Sequence, residues 1–134
     1  MINAFCEHRQ HFQKQLIQEV ADYHYRFSRY HATYSIALVF TSEVDVDFSV
    51  FSQHLRASDK QIFLQTNLCA IIFDGTNEEQ GIKAANNLLS HVQNIFFTKH
   101  LYMAVVTATT NSTQFQTVHD LFDLIAYALN HNLD

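Results

Sequence analysis

An arginine and an aspartate three residues apart, Arg56 and Asp59, are the side chains in this sequence whose types and spacing best suit ligand chemistry. A guanidinium group presents a planar fork of N–H donors that fits a guanine Hoogsteen edge or a phosphate. A carboxylate accepts hydrogen bonds from guanine N–H groups. The structural alternatives are a surface ion pair worth under about 1 kcal/mol, or an aspartate that caps a turn beside an arginine at a helix end.

Other candidate reactive groups lack the pattern that their chemistry requires. Cys6, His8 and His11 lie close together, but a structural zinc site needs four ligands and no recognised zinc spacing supplies them. Cys69 lies within an apolar run, which predicts a buried small hydrophobic residue. The sequence has no nucleophile elbow. We therefore expect no metal site, no cofactor and no nucleophilic catalysis.

Glycine content argues against a phosphate-binding loop. Gly75 and Gly81 are the only two glycines, and there is no proline. A phosphate cradle usually needs clustered glycines, because the backbone must approach the ligand closely. Any anionic ligand would therefore have to be held by side chains such as Arg56.

Composition indicates one small globular domain with an acidic balance. The 134 residues fit a single core, 48% of them are hydrophobic and 16% are charged. The net charge of -5, with no basic block, argues against a nucleic-acid partner. The longest apolar run, residues 35–40, is too short to cross a membrane, and no secretory leader is recognisable. Since the two cysteines form no disulfide framework, we expect a reduced, cytoplasmic setting.

Hydrophobic periodicity predicts a helix at each end of the chain and an alternating core between them. The core order strand, helix, strand, strand, helix, strand predicts an α/β (α+β) domain of the ferredoxin-like type, with a four-stranded, mostly antiparallel sheet and helices on one face. We predict a single domain over residues 1–134, with an N-terminal helix in residues 1–31 and the core in residues 32–134. The predicted elements are a helix at 4–30, a strand at 34–40, a helix at 48–56, strands at 61–64 and 68–73, a helix at 76–94, a strand at 101–107 and a helix from 117.

Polar residues at the predicted helix starts support these boundaries. Asp47 is predicted to cap the second helix, and Thr76 with Glu79 to form a capping box for the third. Thr117, with Asp120 three residues later, is predicted to start the last helix. The buried stripe of the third helix is predicted to include Ile82, Ala85 and Leu88, and that of the last helix Val118, Leu121, Phe122, Ile125 and Leu129.

The first helix carries an aromatic stripe that has two interpretations. Phe12, Tyr23, Phe27 and Tyr30 lie on one face. This face either packs against the rest of the domain or joins a second copy in a helix–helix dimer.

Four stretches, in order, resemble GGDEF domains, the diguanylate-cyclase fold. Together with their spacers they cover most of the chain, and their order and register carry more weight than any single motif. They are FSRYHATYSIALVF at 27–40, LRASDKQIFLQTNLCAIIF at 55–73, YMAVVTAT at 102–109 and LFDLIAYAL at 121–129.

The signature hairpin of that family is degenerate here. Its five residues, Gly-Gly-Asp/Glu-Glu-Phe in the family, are replaced by Gln65, Thr66, Asn67, Leu68 and Cys69. The two glycines that let the backbone reach the substrate are absent. A leucine cannot hold Mg²⁺, which needs oxygen ligands.

The second metal carboxylate of the family is also absent from its usual place. At the end of the first strand this sequence reads Phe40-Thr41-Ser42, and Glu43 is out of register. Phosphoryl transfer depends on positioning and on metal-stabilised charge. The resemblance therefore implies a domain that is not an enzyme.

One family motif is intact. Many GGDEF domains carry Arg-x-x-Asp five residues before the signature, where it binds the product cyclic di-GMP, and Arg56 and Asp59 have that spacing. The resemblance implies a catalytically inactive regulatory domain that binds cyclic di-GMP and signals to a protein partner, as in bacterial exopolysaccharide secretion. The alternative is a ligand-free interaction or dimerisation module of the same fold.

Overall fold

The computed structural model describes residues 2–42, 46–92 and 101–131, with side chains from His8 onward except those of Val92 and His131. None of the described helices is long and apolar enough to cross a membrane. The order of elements agrees with the prediction, and the strands end within one residue of the predicted ends. The elements are α1 (Ile2–Tyr30), β1 (Tyr34–Thr41), a 3₁₀ helix (Phe48–His54), β2 (Lys60–Gln65), β3 (Leu68–Asp74), α2 (Glu78–Val92), β4 (Leu101–Thr107) and α3 (Gln114–His131).

The four strands form one antiparallel sheet in the order β2-β3-β1-β4. In β1, Ile36 lies between Ile72 of β3 and Val106 of β4. All eight residues of β1 are buried, as a continuous apolar run predicts for a central strand. This is the ferredoxin-like arrangement, and it confirms the predicted fold class.

Helices cover both faces of the sheet, so the prediction of helices on a single face is wrong. One face packs against α1 and α3, and the other against α2 and the 3₁₀ helix. The physical reason lies in β1 and β3, whose residues are buried almost without alternation. A strand that is apolar on both sides must be covered on both sides.

The 3₁₀ helix ends earlier than predicted and α2 begins later, whereas the predicted end of α2 at residue 94 lies outside the described residues. The second helix is 3₁₀ in type and ends at His54, although Asp47 caps it as predicted by accepting from Ser49 N at 3.0 Å. In α2 the reciprocal cap is one residue later than predicted. Gln80 N donates to Asn77 Oδ1 at 2.8 Å, and Asn77 N donates to Gln80 Oε1 at 3.0 Å.

Helix α3 begins at Gln114, three residues before the predicted start at Thr117. Thr113 provides the cap, since its hydroxyl accepts from Gln116 N at 3.1 Å. Thr117 instead lies within the helix and is buried. The predicted stripe of α3 is confirmed as buried, whereas Ile82 of α2 is 44% exposed and does not belong to the core.

The aromatic stripe of α1 packs against the chain's own domain. Phe12 and Phe27 are buried in the cluster that α1 forms with α3 and the sheet, and Tyr23 packs beside them. Tyr30 is exposed. Tyr34 of β1 also holds α1 against the sheet, because its hydroxyl lies 2.7 Å from His24 Nδ1 of that helix. The buried part of the stripe is therefore unavailable for a helix–helix dimer in this conformation.

Helix α2 approaches β1 closely at a small cluster of hydroxyl groups. Ser35 Oγ lies 2.8 Å from Thr107 Oγ1 and 2.9 Å from Thr76 Oγ1, and Thr76 Oγ1 also lies 2.9 Å from Phe73 O. A Cβ on Gly81 would stand 2.6 Å from Ser35 Cβ. Glycine is required at that point of α2, because any side chain would force the helix away from the sheet.

Candidate functional site

Arg56 and Asp59 form the two ends of one tight turn that leads into β2. Asp59 N donates to Arg56 O at 3.0 Å, and Arg56 N donates to Asp59 Oδ2 at 2.9 Å. The guanidinium then closes on the same carboxylate, with Nη2 2.8 Å from Asp59 Oδ1 and Nε 3.2 Å from both oxygens. Both structural alternatives from the sequence, the ion pair and the turn cap, are therefore present.

The two members of this pair differ in exposure. The Asp59 side chain is 3% exposed and the Arg56 side chain 55%. The hydrogen bond to Asp59, ahead of its charge, raises the pKa of Arg56 above its ordinary value, so the guanidinium stays cationic. The Asp59 carboxylate, which the sequence predicts to accept from a guanine, is bonded to Arg56 in this structure. Arg56 is the member that faces solvent.

A backbone carbonyl fixes the guanidinium from the other side. Arg56 Nη2 donates to Asp74 O at 2.7 Å, which joins the turn to the end of β3. The Asp74 side chain lies 3.8 Å from Arg26 Nη1 on α1. Among the described residues, the bonds of Arg56 use Nε and Nη2, and no group accepts from Nη1. Two N–H donors are therefore still available to a ligand.

A shallow cavity of about 290 Å³ opens beside Arg56. Its opposite wall is α2, which contributes Lys83 as a second cation, and its floor includes Gly75, where φ is 69°. Sequence reasoning missed Lys83, because the stripe of α2 was read only for its buried residues. The lining residues are Arg56, Gly75, Thr76, Gln80, Lys83, Ala84 and Asn87.

The degenerate hairpin lies at the far end of β2. Gln65 and Thr66 are exposed, and no glycine brings their backbone toward a substrate. Asn67 stabilises the turn through two contacts with Thr41. Its side-chain Nδ2 donates to Thr41 O at 3.0 Å, and its backbone carbonyl accepts from Thr41 N at 3.1 Å. The side-chain amide of Asn67 therefore joins the hairpin to β1.

Leu68 and Cys69 are fully buried on opposite faces of the sheet. Leu68 belongs to the cluster under α1 and α3. Burial raises the pKa of the Cys69 thiol to about 12, and Gln61 Nε2 lies 3.7 Å from its sulfur. Both side chains serve packing, and Cys69 is the buried small residue that the sequence predicted. Glu43, which the sequence analysis found out of register with the usual metal carboxylate, lies outside the described residues.

The structure brings together one group of metal-ligating side chains that sequence reasoning did not single out. Ligand atoms of His119, Asp120 and Asp123 on α3 lie within 4.8 Å of one another. Asp123 also accepts from Arg9 at 2.6 Å, so that carboxylate already has a cationic partner. Of Cys6, His8 and His11, whose spacing the sequence analysis rejected as a zinc site, the side chain of Cys6 lies outside the described part of the chain.

No protein-family model and no curated protein matches this chain. Solved structures match it in three dimensions. The GGDEF domain of FimX from Pseudomonas aeruginosa is 13% identical, with a TM-score of 0.70 over 90% of this chain and 89% of that one. The GGDEF domain of DgcB from Caulobacter crescentus, in complex with c-di-GMP, is 7% identical, with a TM-score of 0.68 over 90% and 85%.

The diguanylate cyclase SiaD from Pseudomonas aeruginosa, in complex with its activator SiaC, also matches. It is 13% identical, with a TM-score of 0.68 over 90% of this chain and 55% of the SiaD chain. At such low identity a likeness of this kind establishes the arrangement of elements and not the chemistry. The sheet order, the covering helices and these matches agree: this chain has the fold of GGDEF domains.

Proposed function

We propose that this chain is a regulatory domain that binds cyclic di-GMP beside Arg56 and does not synthesise it. The observation that carries the proposal is the orientation of Arg56, which is held by Asp59 and Asp74 O at the rim of a cavity that also receives Lys83. The complex of DgcB with c-di-GMP shows that a domain of this fold holds that ligand.

Each side chain has a distinct role in this proposal. Arg56 contacts a guanine edge or a phosphate through its remaining donors, and Lys83 supplies a second positive charge to the phosphates. Asp59 orients the guanidinium through its present contacts. Asp59 reaches a guanine N–H only when it exchanges part of its contact with Arg56 for the ligand.

Calorimetric titration with cyclic di-GMP tests the binding proposal. A hydrogen bond to a charged group contributes on the order of 1.5–3 kcal/mol, so Arg56→Ala and Asp59→Ala should each weaken binding at least about tenfold. Arg56→Lys should also weaken it, because an ammonium cannot reproduce the fork. Arg9→Ala is the matched control, since Arg9 pairs with an aspartate on α3 outside the cavity. The absence of binding by the wild type would refute the proposal.

The absence of cyclase activity needs its own measurement. The proposal rests on a hairpin without its glycines, with an amide and a buried leucine where metal carboxylates are required. Incubation with GTP and Mg²⁺ or Mn²⁺ should give no cyclic di-GMP above a reaction without protein. Product that appears with wild-type protein and not with a Thr66→Pro variant would contradict it.

A ligand-free interaction module is the second candidate function. It is favoured by the complex of SiaD with its activator SiaC, which is a protein partner. This function takes first place if titration shows no binding of cyclic di-GMP. In either case we propose a cytoplasmic setting, because Cys69 is buried and forms no disulfide.

A further inference from the structure

A second cavity lies away from Arg56, along the side of the sheet where β4 is the last strand. It has a volume of about 750 Å³. Its floor is the second half of β4, residues 105–107, and the two residues that follow. Helix α2 forms one wall and helix α3 the other. It is therefore a groove that runs along an edge strand, between the two helical layers.

The edge of β4 is open to pairing. β4 is the last strand in the sheet order, and in the part of the chain that the structure describes no strand pairs with its outer side. Six of its seven residues are only partly buried, whereas every residue of β1 is buried. An edge of this kind presents a row of N–H and C=O groups to a further strand.

The opposite edge, β2, carries features that discourage strand addition, and β4 carries neither. β2 begins with the charged Lys60 and has an irregularity between Phe63 and Gln65. β4 has no charged residue and pairs with β1 in unbroken register over residues 101–107. Charges and bulges are the usual protection of an edge strand. Of the two edge strands, β4 is therefore the one that can accept a further strand.

The walls of the groove define the chemistry of that partner. On α2, Ile82 is 44% exposed, and on α3, Leu124 is 48% exposed. Glu78, Asp120 and Asp123 also line the groove, and among the residues that the structure describes no lysine or arginine does. Asp123 is partly compensated by Arg9. The groove therefore combines apolar contact surface with a negative charge that favours a basic occupant.

We propose that the β4 groove binds an extended, basic segment of a partner protein, which adds to the sheet as a fifth strand. Its backbone pairs with β4, and its side chains point alternately toward α2 and α3. Apolar side chains facing α2 contact Ile82, and basic side chains facing α3 meet Asp120 and Asp123. This site is separate from Arg56 and does not depend on cyclic di-GMP.

Synthetic peptides test the proposal directly. The probe is an acetylated heptapeptide amide in which lysine and valine alternate, titrated into ¹⁵N-labelled protein. We expect chemical-shift changes and slower hydrogen exchange at amides of β4, such as those of Val105 and Thr107. The same peptide with every backbone nitrogen methylated has no main-chain N–H to donate to an edge strand, and should bind at least about tenfold more weakly. A glutamate–valine peptide should also bind more weakly.

Two variants locate the site without disturbing the core. Leu124→Lys should weaken binding of the lysine–valine peptide, because it removes apolar surface and adds repulsion. Phe115→Lys is the matched control, since Phe115 is an exposed apolar residue of α3 outside the groove. The proposal is overturned if no binding is detected at about 1 mM peptide. A dissociation constant of that size corresponds to a binding free energy of about 4 kcal/mol. Equal binding of the methylated peptide also overturns it, as does protection of β4 by self-association without peptide.

Discussion

Strand β2 connects two regions that both resemble parts of a GGDEF site, and their side chains differ in what they can do. At its start, the Arg56–Asp59 turn places a charged, half-exposed guanidinium at the rim of a cavity. The hairpin lies at the other end of β2, about 20 Å away, since six extended residues span that length. There the Asn67 side-chain amide bonds to the backbone of β1, and Leu68 is buried in the core.

The difference shows how an exposed charged group and a packed apolar group can lie at the two ends of one strand. The Arg56–Asp59 turn is stabilised by its own short-range bonds, so it does not depend on the residues of the hairpin tip. Leu68 at the other end has become part of the sheet's packing. One substitution could not create a metal site there, because a carboxylate would have to enter a fully buried position.

The largest expected effect tests whether the hairpin end is core. Leu68→Glu should lower the free energy of unfolding by more than about 3 kcal/mol, because it buries an unpaired carboxylate and loses apolar contacts. Urea or thermal unfolding measures this. Thr66→Glu, which adds the same charge at an exposed position, should change stability by less than about 0.5 kcal/mol. Equal, small effects of the two variants would show that position 68 is not in the core.

The next effect compares two Arg–Asp pairs of different exposure. Asp59→Ala should cost about 1–2 kcal/mol, because it removes the acceptor of the Arg56 N–H and of the guanidinium. Asp123→Ala removes an aspartate that is 54% exposed, and should cost under about 1 kcal/mol. Chemical denaturation of both variants makes the comparison. A larger loss for Asp123→Ala would mean that the Arg56–Asp59 turn contributes little to the fold.

Acid should destabilise the sheet face that holds Leu68 through His24 of α1. Burial lowers the pKa of His24, so the unfolded chain binds a proton there more readily than the folded one. The stability that neutral His24 contributes is complete above the ordinary histidine value, about 6.5, and is lost as pH falls through the lower folded pKa. Thermal unfolding from about pH 7.5 to about pH 5.5 should therefore show a smaller decline for His24→Gln than for wild type. An unchanged decline would exclude His24 as a contributor.

The smallest expected effect is the reactivity of the Cys69 thiol, which should be nearly absent in the folded protein. In a Cys6→Ser background, Cys69 should react with a disulfide reagent at about pH 8 only through unfolding, because the thiol is buried and its pKa is raised to about 12. Cys69→Ala should leave cyclic di-GMP binding unchanged. Rapid labelling in native buffer would place Cys69 at an accessible surface and contradict its role in packing.

Much of the fold could be predicted because strong local signals agreed. Apolar runs located β1 and β3, and the periodic stripe of α3 identified its buried face. The observed starts of α2 and α3 differ from the predicted ones, because several neighbouring polar residues can each cap a helix and tertiary contacts decide which one does. In α2, Thr76 bonds to Ser35 in the hydroxyl cluster, and Asn77 caps the helix instead. The second covered face of the sheet was missed although the unbroken burial of β1 required it.

The candidate site could be predicted only in part. The spacing of Arg56 and Asp59 was visible in the sequence, but their mutual contact depends on the turn geometry. The carbonyl of Asp74 and the ammonium of Lys83 join the site through tertiary structure, since β3 and α2 are distant in sequence from Arg56. No local pattern marks such contributions.

The central claim, that the Arg56 end of β2 binds a ligand and the hairpin end does not, is tested most directly by titrating ¹⁵N-labelled protein with cyclic di-GMP. We expect shifts of the Arg56 Nε–H resonance and of the Gln80 and Lys83 amides, with the Thr66 and Asn67 amides unchanged. Shifts centred on Thr66 and Asn67, with Arg56 unmoved, would contradict it, and so would a spectrum that does not change at all.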